Sequence, residues 1–131
     1  MRILIRASAF VTGWAVFFLV VVATRPGDGD ANIGLGLLAF LLVAVAAGVW
    51  GWRDGSRVEY GAHALTWSVV GVLLGLIVPL FTALVANEFD ADVVATDILT
   101  VGPFTAALVA VPALAAGALA MVVHRSPVRR E

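Results

Sequence analysis

Apolar and polar residues along this chain do not alternate; they segregate into four long apolar runs separated by short polar stretches. The runs cover residues 7–23, 33–50, 62–86 and 98–123, and none contains a charged side chain. Each approaches or exceeds the ~17–25 residues a helix needs to cross about 30 Å of hydrocarbon. A membrane barrel would require short alternating strands, whereas a backbone in lipid must satisfy its own polar groups. The pattern therefore predicts an all-α integral membrane four-helix bundle. It occupies residues 1–131 as a single domain, with a short basic tail at 124–131.

Composition agrees with that reading. The chain is 62% hydrophobic and 13% charged, where a soluble domain carries about a quarter charged residues. A net charge of −1 offers no basic face for nucleic acid. The absence of cysteine removes disulfides, thiolate metal sites and thiol catalysis. The first run is longer than the ~7–15-residue core of a secretory signal and has no clean A-x-A site before Arg25, so a retained helix is expected.

Charge placement sets an expected orientation. Arg2 and Arg6 precede the first run, Arg53 and Arg57 lie between the second and third, and Arg125, Arg129 and Arg130 follow the fourth. In a bundle of four spans all these segments share one side, leaving only Arg25 opposite. The positive-inside rule then places both termini in the cytoplasm of a bacterial inner-membrane protein. The other side is acidic: Asp28 and Asp30 in one turn, Glu88, Asp90, Asp92 and Asp97 near the next. Carboxylates can hold a divalent cation, but this spacing lacks the Gly and distal Glu of a calcium loop. A polar loop is the simpler reading, with Thr96 or Asp97 capping the fourth helix.

In lipid, helices associate where small residues allow close approach. Gly71 and Gly75 form a GxxxG in the third run, and Ala110 and Gly117 lie on a small-residue stripe in the fourth. Internal packing is the expected use of both. Pro79 and Pro103 fall in the outer half of consecutive helices, with Thr82 and Thr105 nearby. These four residues define a candidate outer-half polar pocket, although the hydroxyls can equally re-satisfy their own helices.

Candidate chemistry is sparse. His63 and His124 fall at the same end of neighbouring helices, the minimum for bis-imidazole haem ligation, but nothing else supports haem. No serine has a base suited to activate it. No catalytic residue, cofactor or metal site is expected. Ion-coupled carriers place an acid within the bilayer, whereas every acid here falls outside the four runs, so no coupling charge is expected.

Residues 50–57 mark where the second helix leaves the membrane. Trp50 and Trp52 suit the interface, Arg53 and Arg57 hold the loop beside anionic headgroups, and Asp54-Gly55 opens the turn. Trp50-Gly51-x-x-Asp54-Gly55, Thr66-Trp67, Phe104-Thr105-Ala106 and Val111-Pro112-Ala113 resemble a family of small actinobacterial membrane proteins. That family is classed with the four-helix bacterial members of the drug/metabolite transporter superfamily. The resemblance implies a transporter-like protein, but the glutamate that small multidrug resistance proteins carry in their first helix has no counterpart here. The expectation is a transporter-like protein of unknown substrate, or alternatively a non-catalytic subunit of a larger complex. Its partners would be the bilayer and either further copies of itself or a larger membrane assembly.

Overall fold

The computed structural model describes residues 2–24, 33–86 and 89–125. They form four helices: α1 Arg2–Thr24, α2 Ile33–Gly55, α3 Tyr60–Ala86 and α4 Ala91–Arg125. Each contains a stretch long and apolar enough to cross a membrane. The chain is thus an all-α, multi-pass four-helix membrane bundle. Arg25, Asp28, Asp30, Glu88, Arg129 and Arg130 lie outside the described residues.

Three helix boundaries differ from expectation, the first being that of α1, which begins at Arg2 rather than at residue 7. Helix α2 runs through Trp50 to Gly55, because Gly51 and Gly55 are held against α4 and leave no reason to unwind at the tryptophan. Helix α4 begins at Ala91, well before the predicted start at 98. Its cap is Asp90, whose Oδ1 accepts from the amides of Asp92 at 2.9 Å and Val93 at 3.4 Å. An N-cap carboxylate satisfies amides that have no helical partner and meets the positive end of the dipole. Thr96, expected as a cap, is inside the helix and donates to the Asp92 carbonyl.

Helix α4 is the spine, packed extensively against both α3 and α2. Glycines make that approach close. A Cβ on Gly51 would lie 2.5 Å from the Ala113 Cα, and one on Gly55 equally near the Gly117 Cα. On the other flank Gly75 faces the Gly102 carbonyl, and Gly71 faces Ala106 and Ala110. Between these contacts sits a core of Ala47, Trp67, Val70, Leu74, Val109 and Ala113. Helix α1 is peripheral. It rests mainly on α3 and reaches α2 through long aromatic side chains: Phe10 lies 6.1 Å from Trp50 and Trp14 6.4 Å from Phe40 between ring centroids. Leu37, Leu41, Leu65, Leu99 and Leu119 are exposed on the outer faces, as expected of a surface whose solvent is lipid.

Candidate functional site

Continuing α2 past Trp50 has a chemical consequence. Positions 51 and 55 face α4, so positions 50 and 54, one turn apart, face α1 and α3. There Asp54 meets Arg6, which occupies the second turn of α1. Arg6 Nη2 donates to Asp54 Oδ2 at 2.5 Å, and the two side chains are only 7% and 16% exposed. Trp67 Nε1, from α3, donates to the same oxygen at 3.2 Å. The guanidinium also lies over two indole rings, 5.9 Å from the centroid of Trp50 and 5.6 Å from that of Trp67. Three helices therefore converge on one ion pair.

The electrostatics explain the arrangement. Asp54 stands in the last turn of α2, where the helix dipole disfavours an anion. Arg6 and the Trp67 N–H offset that cost, while Trp50 and Trp67 present their π faces to a cation held away from water. The arrangement still leaves hydrogen-bonding capacity unused. Arg6 Nε and Nη1 are buried without a partner, although a guanidinium has five donors. Arg6 also lines a cavity of about 260 Å³, together with Ile5, Trp50, Asp54, Arg57 and Val58. Two arginines against one aspartate give this lining an excess of positive charge.

A second, apolar space adjoins it. Because α1 and α2 are spaced apart, a groove of about 250 Å³ runs between Ala9, Phe10, Gly13, Trp14 and Phe17 on one side and Ala39, Leu42, Val43, Ala46 and Trp50 on the other. Trp50 lines both spaces. Gly13 borders the groove, and a Cβ there would touch nothing within 4 Å. Trp14 Nε1 is buried without an acceptor.

The arginine-bearing end holds a second buried polar group. His63 is 1% exposed and its Nε2 lies 3.1 Å from the Ala113 carbonyl. A carbonyl only accepts, so Nε2 carries the proton and donates. Gly117 makes room for the ring, since a side chain there would collide with it. His124 instead donates from Nδ1 to the Ala120 carbonyl in its own helix at 2.7 Å. No group of three or more His, Cys, Asp or Glu that could hold a metal occurs among the described residues.

The expectation of spanning segments without charge is overturned. Arg6 and Asp54 lie inside the stretches Ile3–Val21 and Gly36–Gly55 that are long and apolar enough to cross the membrane, and they form a buried pair. The expectation failed because α1 and α2 each extend by about a turn, carrying supposed flanking charges into the helices. The transporter-like reading itself has no separate support in this geometry.

Other residues singled out in the sequence separate. Trp52 and Arg53 are exposed away from the pair, with the Trp52 ring 6.2 Å from that of His124. Pro79 is buried, Pro103 and Thr82 are exposed, and Thr105 is half-buried. Thr82 donates to the Val78 carbonyl at 2.9 Å and Thr105 to that of Val101 at 3.0 Å, so both hydroxyls serve their own helices. Of these four residues, Thr105 borders a void of about 20 Å³ that is otherwise mostly apolar.

Sequence reasoning missed Arg6 as a site residue and Gly51 as a packing residue. Signals existed for both. Arg6, Phe10, Gly13 and Phe17 recur at helical spacing on one face of α1, and Gly51-x-x-x-Gly55 is itself a GxxxG.

Fold and site together define a class: a small multi-pass helical membrane protein with an ion pair buried where three helices meet. No family model, curated protein or solved structure matches the chain.

Proposed function

We propose that this protein is a non-catalytic membrane module that takes a lipid acyl chain from the bilayer into the groove between α1 and α2. The observation that carries the reading is the groove itself, about 250 Å³ and lined by aliphatic and aromatic side chains. An apolar recess beside lipid offers dispersion contacts along its whole lining to a group that enters it. A methylene chain is the abundant neighbour that fits this description. From Ala9 to Phe17 the groove follows α1 for roughly 12 Å at 1.5 Å per residue, a length suited to a segment of a chain.

The Arg6–Asp54 pair supports this reading as a clamp, fixing α1 at one end while the groove opens below it. We place that end in the cytoplasm of a bacterial inner membrane, supported by the arginines at positions 6, 53, 57 and 125. Kinship with the small actinobacterial four-helix proteins rests on the short motifs around Trp50 and Trp67 and adds only this setting.

The test is lipid retention. After purification in mild detergent, native mass spectrometry is expected to show one lipid held per chain. Gly13→Phe, which fills the groove without meeting protein at Cβ, should remove it. Equal retention by the variant rejects the groove.

A further inference from the structure

We propose that the cavity between Arg6 and Arg57 holds the phosphate of an anionic membrane lipid whose acyl chain lies in the α1–α2 groove. The inference rests on the proposed function and adds the chemistry of the headgroup. Three independent observations meet here. Arg6 is 6% exposed, lines the cavity, and keeps Nε and Nη1 buried without a partner. Buried donors of a charged group are costly to leave unmet, and the Asp54 carboxylate engages only Nη2 among the Arg6 nitrogens.

The second observation is charge. Asp54 neutralises one arginine, and Arg57 on the same wall remains in excess. Phosphate oxygens suit a guanidinium fork, which offers parallel N–H donors to a planar or tetrahedral oxyanion. The third is continuity. Trp50 forms part of both the charged cavity and the apolar groove, so the two spaces meet across one side chain. A charged recess at the membrane edge leading into an apolar slot matches an amphiphile with an anionic head. Free phosphate would use only the first space, and a neutral lipid only the second.

Asp54 gives the site its selectivity. Its carboxylate stands beside the arginines and repels a highly charged anion, so a singly charged phosphodiester is favoured over a free phosphate dianion. Arg57 lies in the turn after α2 and is exposed, outside the Arg6–Asp54–Trp67 cluster, and can be replaced without unpairing a buried charge.

The experiment measures binding to the delipidated full chain by native mass spectrometry and by thermal shift. The probes are phosphatidylglycerol, phosphatidylcholine and inorganic phosphate, against wild type, Arg57→Gln and Gly13→Phe. We expect phosphatidylglycerol to bind at least tenfold more tightly than phosphatidylcholine. Arg57→Gln should lose about tenfold in affinity for phosphatidylglycerol, the scale of one charge-assisted hydrogen bond, and less for phosphatidylcholine, whose choline cation already offsets the charge of the same phosphodiester. Inorganic phosphate should compete weakly.

Equal affinity for the two lipids in wild type, or no effect of Arg57→Gln, overturns the headgroup assignment. If Gly13→Phe then still abolishes binding of both lipids, the groove reading stands alone. If Gly13→Phe leaves both lipids bound, the groove reading fails as well. Inorganic phosphate binding as tightly as phosphatidylglycerol overturns the lipid source in favour of a free anion. A lipid-free dimer that Gly13→Phe disperses would put a second copy of the chain in the groove and overturn both.

Discussion

Asp54 and Arg6 illustrate how much depends on a partner rather than on a residue. Removing one member of a buried ion pair strands the other, at a cost of about 3–5 kcal/mol, whereas replacing both by apolar groups of similar volume is often neutral. Asp54→Asn leaves the Arg6 guanidinium without its counter-charge and is expected to lower the melting temperature in detergent by several degrees. Arg6→Met combined with Asp54→Leu should recover most of that loss in the same assay. A double variant as unstable as Asp54→Asn would show that the pair contributes more than mutual compensation. At this scale the sequence was only partly legible. Asp54, Arg57 and Trp50 were singled out as a border, but the burial of Asp54 is invisible until Arg6 and Trp67 arrive from other helices.

Among the elements, α4 is held on both flanks by residues without side chains to spare. Gly51 and Gly55 of α2 approach Ala113 and Gly117, while Gly71 and Gly75 of α3 approach Ala106, Ala110 and Gly102. Gly51→Val must therefore push backbone away from backbone, and we expect it to destabilise the bundle more than any lipid-facing substitution. Gly61 offers the internal control, since a Cβ there meets nothing within 4 Å. Gly61→Ala should be neutral or stabilising by up to about 1 kcal/mol through helix propensity. Thermal unfolding of the two variants side by side decides the matter; similar midpoints would contradict the packing. The GxxxG of α3 stood out because it lies within an apolar run. The one at Gly51 was obscured by the tryptophan, arginine and aspartate between its glycines, which resemble the residues of a helix end.

The whole molecule is a three-helix core with a fourth helix fastened at one end. Among the described residues helix α1 reaches α2 through side-chain bridges, and it should exchange its amides faster than α3 or α4, which share an extensive interface. Hydrogen exchange with mass spectrometric readout checks this, and slower exchange in α1 would argue for a closed bundle without a groove. The orientation is testable because the chain has no cysteine. Cysteine introduced at Ser56 should be labelled by an impermeant reagent only after cells are opened, and one at Asp92 in intact spheroplasts. The number of spans and their approximate positions followed from hydropathy, since crossing lipid demands a length of apolar helix that any single sequence displays. What required the tertiary structure was the relation between spans. The meeting of Arg6 with Asp54 and Trp67, the groove beside Gly13 and the burial of His63 are long-range contacts. They depend on how far each helix extends and which face it turns inward, and in a chain this rich in Ala, Val and Gly several faces look equally fit to do so.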